Sequence, residues 1–215
     1  MSQRPRHVAI LAHPDPESLN ATIARTYVDT VRAAGQDVIL RDLYALGFDP
    51  VLKNSERPGR PGFALSKDVA EELDLIGGAD IYTFIHPIWF GMPPAILTGY
   101  IDRVIGSGVT AREVQHRDGQ GVLRGKQLFS ITTSGASDVW LDEQGQIEAL
   151  KDLMERYLFR AFGMRSAEHL RFGGVTESYS QHFVEQALSD VETRTRRICD
   201  ALADDREFAA RRGAA

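Results

Sequence analysis

The chain has 215 residues, of which 43% are hydrophobic and 26% charged, and its formal net charge is -5 at pH 7. These values fit one globular domain, and the negative charge argues against a general nucleic-acid-binding surface. Its one cysteine, Cys199, excludes an intrachain disulfide, and no apolar run approaches the roughly 18 residues of a membrane span.

The first predicted elements form a strand–helix–strand unit. Residues 7–12 are a short apolar run, which is typical of a buried strand. Apolar residues then recur at helical spacing from Ile23 to Val31, and Gly35 marks the end of that helix. Residues 37–43 are predicted to form a second strand, which makes a βαβ unit with a right-handed crossover.

Residues 44–65 are predicted to be irregular because they contain several prolines and glycines. A segment of this length without regular structure is often functional. Ser66 can cap the helix that follows, and Gly77 ends it. Residues 81–85 are predicted to form the third strand.

The second half of the chain repeats the alternation of helix and strand. Its predicted elements are, in order, a helix at 94–105, a polar glycine-rich loop at 106–125, a strand at 126–133, a tight turn at 134–137, a helix at 147–162, a strand at 166–172 and a final helix at 180–203. The last residues have little to pack against, and we expect residues 206–215 to fray.

Strands that alternate with helices predict an α/β fold, with a doubly wound and mostly parallel sheet covered by helices on both faces. The chain shows no internal repeat and no linker, so we expect one domain over residues 1–205. Without a signal-peptide core or a membrane span, the protein is expected to be cytoplasmic, with no nucleic-acid partner and no membrane insertion.

Three loops follow predicted strands 1, 3 and 4, and in such a fold they meet at the carboxyl edge of the sheet. The first loop contains His13, Ser18 and Asn20 and precedes a helix N-terminus, whose unpaired N–H groups and dipole favour an anion. The sequence therefore predicts a phosphate site here. The alternative is that Ser18 only caps the helix and His13 is a solvated turn residue.

The third-strand loop carries the aromatic pair Trp89 and Phe90 after His86-Pro87. Flat side chains beside free N–H groups suit a planar ligand, but such a pair serves equally well in a core or an interface. His86 is expected to be a structural histidine. The fourth loop, residues 132–135, consists of small residues, which often serve only the turn.

Several other kinds of site lack their motif. The sequence contains no P-loop, no dinucleotide fingerprint after the first strand, and no G-x-S-x-G of the kind found in Ser–His–Asp hydrolases. Its six histidines show no H-x-x-x-H or H-E-x-x-H spacing, and we therefore expect no metal site.

Taken together, four segments within residues 7–165 resemble the flavodoxin-like NAD(P)H:quinone oxidoreductases, of the flavodoxin-2 type of NAD(P)H dehydrogenase. The segments are His13-Pro14, Ser18-Leu19-Asn20, the run from Pro87 to Arg103, and Thr132-Thr133-Ser134-Gly135. The stretch from Pro94 to Arg103 is the most specific of them. The resemblance implies a flavodoxin-like, five-stranded parallel sheet with strand order 2-1-3-4-5, and a homodimer.

The resemblance also implies a cofactor and the residues that bind it. A flavin, FAD or FMN, would take a hydride from NAD(P)H and pass it to a quinone or a similar acceptor in a ping-pong reaction. The first loop would hold the flavin phosphate, the third the tricyclic ring, and the fourth the polar edge of that ring. The residues implied are His13, Ser18, Leu19 and Asn20; Pro87, Ile88, Trp89 and Phe90; and Thr132, Thr133, Ser134 and Gly135.

One part of the family pattern is missing. Mammalian-type members carry a Tyr and a His after the fourth-strand loop that are implicated in proton transfer. Here Trp140 falls near the Tyr position, and the next histidine is His169. We therefore assign no catalytic side chain from the sequence.

The sequence leaves two other functions open. A flavodoxin-like electron carrier or a redox-sensing regulatory subunit would bind flavin with negligible turnover, whereas a nucleotide-binding protein without flavin would purify colourless. The choices between FMN and FAD, and between NADH and NADPH, also stay open. Arg57, Arg60 and Arg112 are candidates for binding a ribose phosphate.

Overall fold

The computed structural model describes residues 4–116, 121–176 and 179–213. One sheet contains five parallel strands, which are Arg6–Leu11 (β1), Asp37–Asp42 (β2), Ile81–Ile88 (β3), Gln127–Ser134 (β4) and Ser166–Phe172 (β5). Their order across the sheet is β2-β1-β3-β4-β5, which confirms the predicted topology.

Helices pack on both faces of this sheet. In chain order they are Leu19–Ala33 (α1), Lys67–Ile76 (α2), Ala95–Tyr100 (α3), Ala111–His116 (α4), Asp138–Glu143 (α5), Gln146–Lys151 (α6), Leu158–Ala161 (α7) and Gln181–Gly213 (α8). The π-helical turn Ile101–Ile105 continues α3, the π-helical turn Asp152–Tyr157 joins α6 to α7, and Asn54–Glu56 forms a 3-10 turn.

The core lies in two layers, one on each face of the sheet, because successive side chains on a strand point to opposite faces. On one face Ile10 and Phe84 lie in a buried cluster with residues of α2, α3 and α7. On the other face Leu11 and Ile85 lie in a second cluster with residues of α1 and α8. Burial on both faces explains why β1 and β3 have largely apolar sequences.

The strand order reverses between β1 and β3, which are neighbours in the sheet but lead to opposite sides of it. At such a point the loops that follow the two strands diverge and open a crevice at the carboxyl edge. Leu11 pairs with Ile85 at this edge, and the N–H of Ala12 donates to the C=O of Ile85 at 2.9 Å. The loops after β1, β3 and β4 therefore lie side by side, as predicted.

The third strand continues to Ile88, beyond its predicted end at Ile85. Pro87 suggested a turn, but it pairs with Thr133 of β4 within the strand. The backbone edge of Pro87 faces the side of β1, and β1 ends at Leu11. The missing N–H therefore costs no ladder hydrogen bond.

Two short helices were not predicted from the sequence. The first, α4, lies within the predicted loop at 106–125, and the second, α5, lies between the predicted turn at 134–137 and the predicted helix at 147–162. Thr110 and Glu113 form a capping box at α4, since the N–H of Thr110 donates to Glu113 Oε2 at 2.7 Å and the N–H of Glu113 donates to Thr110 Oγ1 at 3.3 Å. At α5 the Ser137 hydroxyl accepts from the N–H of Trp140. The loop prediction is wrong at α4, and residues 117–120 of that loop lie outside the described residues.

The last helix is longer than predicted. It runs past residue 205, where we placed the end of the domain, and continues to Gly213 through residues that we expected to fray. Residues 214 and 215 of that predicted tail lie outside the described residues. Arg206 donates to the two carboxylate oxygens of Asp80 at 2.9 and 2.7 Å. This pair ties the late part of α8 to the residue that precedes β3.

Residues 44–65 are anchored against α3 and the π-helical turn after it. A Cβ on Gly99 would lie 2.3 Å from the C=O oxygen of Pro50, so only glycine allows the segment to come this close. Arg103 donates to the C=O of Asp49 at 2.5 Å. Gly99 and Arg103 belong to the stretch most specific to the resembled family, and their contacts here fasten residues 44–65.

Among residues 4–116, 121–176 and 179–213, no helix is both long and apolar enough to cross a membrane. In this described part of the chain, no three His, Cys, Asp or Glu side chains are grouped so that they could hold a metal ion.

Candidate functional site

Two contiguous clefts open at the carboxyl edge of the sheet. The first cleft, beside α1, has a volume of about 570 Å³, and the second cleft, beside α5 and α6, has a volume of about 470 Å³. The first is lined by His13, Asp15, Ser18, Leu19, Asn20, Pro87, Ile88, Trp89, Thr133, Ser134, Gly135, Val175, Thr176 and Tyr179. The second is lined by Ile88, Trp89, Phe90, Gly91, Ser134, Gly135, Ala136, Trp140, Leu141 and Gln146.

The structure brings together every predicted site residue except Thr132. Thr133 and Ser134, the next two residues, line the clefts. Because strand side chains alternate, Thr132 points to the face of the sheet opposite that of Thr133. There its hydroxyl shares a hydrogen bond with His169 Nε2 at 2.7 Å. Of the four residues predicted for the fourth-strand loop, Thr133, Ser134 and Gly135 therefore line the clefts and Thr132 does not.

The N-terminus of α1 borders the first cleft. Ser18 is the cap residue, and its Oγ accepts from the N–H of Ala21 at 3.2 Å, so the capping role proposed as the alternative is present. The N–H groups of Leu19 and Asn20 lie in the first turn, where the helix itself offers no acceptor. Capping and anion binding are compatible here, because these two donors and the helix dipole remain available to a ligand.

His13 connects the first loop with the third. Its Nδ1 lies 3.0 Å from the backbone N of Asp15 and 3.2 Å from the C=O oxygen of the same residue, and these contacts hold the ring against the loop. The imidazole centroid lies 5.6 Å from the ring centroid of Trp89. His13 therefore lines the first cleft and packs beside the aromatic residue that both clefts share.

Asn20 connects the first loop with the fourth. Its Nδ2 donates to Thr133 Oγ1 at 2.7 Å, and the residue is only 3% exposed. Its Oδ1 is buried and finds no hydrogen-bond partner within the described part of the chain. Because an unpaired buried acceptor is costly, this atom fits a ligand that carries a hydroxyl or an N–H donor.

A tight hairpin turn follows β3 and forms the outer wall of the second cleft. Trp89 and Met92 exchange backbone hydrogen bonds of 2.9 and 3.0 Å, and the residues between them, Phe90 and Gly91, have φ of 51° and 76°. Two positive φ values at the central residues are characteristic of a type I′ turn. Asn or Gly is the usual first central residue of such a turn. The Phe90 side chain is fully exposed, so within one chain it is not a packing residue.

Sequence reasoning missed the wall of the second cleft that α5 and α6 supply. Gln146 Nε2 donates to the C=O of Gly91 at 2.8 Å, and Trp140 and Leu141 stand beside it. Ser137, which caps α5, was the available signal that a helix begins after the fourth-strand loop. No local signal places residue 146 against residue 91, because the contact is made through tertiary structure.

The segment after β5 was also missed. The N–H of Val175 donates to the C=O of Ser134 at 2.8 Å, and the N–H of Gly174 donates to the C=O of Ala136 at 2.9 Å. These bonds hold the fourth-strand loop in place and bring Tyr179 to the first cleft. Since β5 is parallel to β4, its carboxyl end lies at the same edge, and this could have been predicted.

A polar cluster of buried and half-buried side chains surrounds His86 and His169. His86 donates from Nδ1 to the C=O of Pro87 at 2.9 Å, and burial lowers its pKa to about 4, so the ring is neutral. His169 contacts Thr132 through Nε2 and Glu155 Oε1 through Nδ1 at 2.5 Å. Neither histidine lines a cleft, and His86 has the structural role that we expected.

Comparison with known proteins gives a family match over most of the chain. A family model described as a flavodoxin-like fold matches residues 5–195. An uncharacterized NAD(P)H oxidoreductase of Haemophilus influenzae is 31% identical over 170 residues, which are 79% of this chain and 84% of that protein. The NAD(P)H dehydrogenase (quinone) 1 of Rattus norvegicus is 29% identical over 153 residues, 63% of this chain but only 56% of the rat protein.

Solved structures agree on the fold. An NAD(P)H:quinone oxidoreductase from Methanothermobacter marburgensis superposes with a TM-score of 0.76 at 23% identity, covering 91% of this chain and 99% of the other. An FMN-dependent NADH-azoreductase of Bacillus anthracis, solved in complex with FMN, has a TM-score of 0.66 at 18% identity, covering 90% and 99%. At these identities the likeness establishes the fold.

Proposed function

The chain belongs to the family with the flavodoxin-like fold, and from this premise we propose that it is a flavin-dependent NAD(P)H oxidoreductase that reduces a quinone or a similar acceptor. One observation carries the proposal: two contiguous clefts join the helix N-terminus at Leu19 and Asn20 to exposed aromatic side chains at Trp89 and Phe90. A flavin nucleotide has the same two parts, a phosphate and a planar ring.

The residues of the first cleft fit the tail of a flavin. The N–H groups at the start of α1 and the imidazole of His13 would hold the phosphate. The unpaired Asn20 Oδ1 needs a donor, and a ribityl hydroxyl is one, whereas a phosphate oxygen is not. Both FMN and FAD contain this phosphate and this hydroxyl chain.

The residues shared by the two clefts fit the ring. Pro87 to Phe90 would lie along the tricycle, and Thr133 to Gly135 would face its polar edge. When bound, the flavin supplies the redox chemistry by accepting a hydride from NAD(P)H and passing electrons to the second substrate. Backbone N–H groups of the two loops would stabilise negative charge at the ring edge, as donors in an oxyanion site do.

The second cleft would receive the nicotinamide and then the acceptor, one after the other, in a ping-pong sequence. Trp89, Phe90 and Trp140 provide aromatic surface for planar substrates. Among the described residues lining this cleft, none has a side chain that titrates near neutral pH. The protons that accompany reduction therefore come from solvent in this proposal.

We also propose that the enzyme works as a homodimer. Val139 and Trp140, neighbours on α5, are exposed, and Trp140 lines the second cleft. Apolar side chains grouped at a surface are typical of an interaction site. Sedimentation equilibrium tests this part, and a monomer at micromolar concentration would contradict it.

The cofactor test uses the only two tryptophans in the chain, Trp89 and Trp140, which both line the second cleft. Titration of the protein with FMN or FAD should quench their fluorescence with saturable binding. Heat release of the cofactor from purified protein identifies the flavin, and steady-state assays with NADH, NADPH and a quinone then test turnover. Absence of binding to both flavins would overturn the proposal, whereas binding with negligible turnover would favour the electron carrier or sensor.

A further inference from the structure

The hairpin turn that contains Phe90 is held from outside by Gln146, which donates Nε2–H to the C=O of Gly91 at 2.8 Å. We propose that Gln146 is a positioning residue that holds Phe90 as one wall of the acceptor site. The functional part of this inference rests on the proposed oxidoreductase activity. The structural part, in which the Gln146–Gly91 hydrogen bond acts as a latch on the hairpin, stands on the geometry of the chain alone.

Phe90 needs an external support because its backbone conformation is unfavourable. A positive φ of 51° is uncommon for a residue that carries a Cβ, and Phe is not a usual first central residue of a type I′ turn. Such outliers persist only where the surroundings hold them, and they gather at functional sites. The turn therefore stores strain at the mouth of the second cleft.

The Phe90 side chain supplies none of the support, since it is fully exposed. The two backbone bonds between Trp89 and Met92 close the turn but do not fix it relative to the body of the domain. The hydrogen bond from Gln146 fixes the turn relative to the domain, because Gln146 is the first residue of α6 and links Gly91 to that helix.

Gly91 is shaped to receive this amide. A Cβ at this position would lie 2.9 Å from Gln146 Nε2 and 3.0 Å from its Oε1, closer than the side chain tolerates without moving. Glycine at position 91 therefore allows both the positive φ of 76° and the close approach of the Gln146 amide. Because an amide does not titrate, the latch has the same strength across the neutral pH range.

The expected consequence is on binding more than on chemistry. A planar acceptor in the second cleft would contact Phe90, whose direction is set by the latch. Loss of one neutral hydrogen bond should weaken this wall and raise KM for a planar quinone about threefold to tenfold, with kcat little changed. A purely structural role would instead lower the melting temperature and leave the ratio of the kinetic constants alone.

The first experiment needs no cofactor. In a Trp140→Phe background, Trp89 is the only tryptophan and reports on the hairpin. Gln146→Glu keeps the shape of the side chain but removes the N–H donor at neutral pH, and Gln146→Ala removes the amide altogether. Both changes should increase acrylamide quenching of Trp89 and lower its anisotropy. Gln144→Ala, at an exposed glutamine two positions earlier, should do neither.

The second experiment measures KM and kcat for menadione in the flavin-loaded protein with the same variants. Unchanged Trp89 quenching together with an unchanged KM in Gln146→Ala and Gln146→Glu would overturn the latch. So would loss of folding in both variants while Gln144→Ala folds, because a positioning residue at the rim does not carry the fold. If the wild-type protein binds no flavin, the proposed function fails, and the fluorescence result still decides on the latch.

Discussion

The guanidinium of Arg103 donates to Glu56 through Nε at 2.9 Å and through Nη2 at 2.6 Å. Both side chains are buried, with 0% of Arg103 and 1% of Glu56 exposed. Asp68 and the C=O of Asp49 take up its remaining donors. The Arg103 hydrogen bonds hold the pKa of Glu56 down at about 2, so both groups are charged at neutral pH. This pair ties residues 44–65 to the π-helical turn after α3.

Breaking this pair should destabilise the protein strongly. Glu56→Gln removes the buried counter-charge of Arg103 and leaves only Asp68, whose side chain is 47% exposed, which should lower the free energy of unfolding by about 3 kcal/mol. Urea unfolding followed by circular dichroism measures the loss. Glu71→Gln is the matched control, because it removes an exposed pair with Lys67 and should change the stability by less than about 0.5 kcal/mol. Equal losses in the two variants would contradict the assignment.

Two buried histidines should make stability fall in mild acid. Burial lowers the pKa of His7, which bonds Tyr27 at 2.6 Å and Gln36 at 2.8 Å, and it lowers that of His86 to about 4. Because the unfolded chain binds these protons more readily, the stabilisation is complete above about pH 6.5 and is lost as pH falls below it. For each histidine the slope should approach at most about 1.4 kcal/mol per pH unit.

Denaturant unfolding between pH 5 and 8 measures this slope. His7→Gln should flatten it as well as lower the stability, because one of the two groups no longer titrates. His182→Gln should leave the slope unchanged, since His182 is exposed on α8. A wild-type stability that is constant from pH 7.5 to pH 5 would rule out the linkage.

The one thiol should be unreactive in the folded protein. Cys199 is buried on α8, and burial raises its pKa to about 11, so that little thiolate is present at neutral pH. A disulfide reagent such as dithionitrobenzoate should react with it only as urea unfolds the chain, with the same midpoint as the circular dichroism transition. Rapid labelling without denaturant would contradict the packing of α8 against α1.

Asn20 should contribute to flavin affinity more than to folding. Asn20→Ala removes the acceptor that fits a flavin hydroxyl and the bond to Thr133, and should weaken flavin binding about tenfold. Tryptophan quenching by the flavin measures the dissociation constant. Glu17→Gln, on the same loop but outside the cleft lining, is the control and should leave the constant within about twofold, since an exposed charge has a small effect.

The sheet could be predicted from the sequence because its signals are local. β5 occupies its predicted residues, 166–172, and β4 is displaced by one residue at each end, since apolar runs and the glycines that end helices mark such elements. The site was predicted less completely. Thr132 was included because the resemblance was to a run of consecutive residues, Thr132 to Gly135. Side chains alternate along a strand, however, so Thr132 and Thr133 point to opposite faces of the sheet.

The residues that were missed belong to long-range contacts. Gln146 lies 55 positions from Gly91, and nothing in either segment alone indicates that they meet. Gly99 and Arg103 show the converse case, in which a recognisable stretch holds a neighbouring segment, residues 44–65, and contributes no residue to the lining of either cleft. Resemblance locates such a stretch, but contacts are needed to say what it does.

Phe90 should show a conflict between stability and function. Phe90→Asn places a favoured residue at the first position of the type I′ turn, where φ is 51°, and should raise the free energy of unfolding by about 0.5–1 kcal/mol. The same change removes the exposed aromatic wall of the second cleft, and KM for a planar quinone should rise at least about threefold if stacking contributes its usual energy. Thermal melting and steady-state kinetics measure the two effects on one preparation. Phe63→Asn, at another exposed aromatic in residues 44–65, should raise neither quantity, so that a stability gain confined to Phe90→Asn identifies relief of strain in the turn.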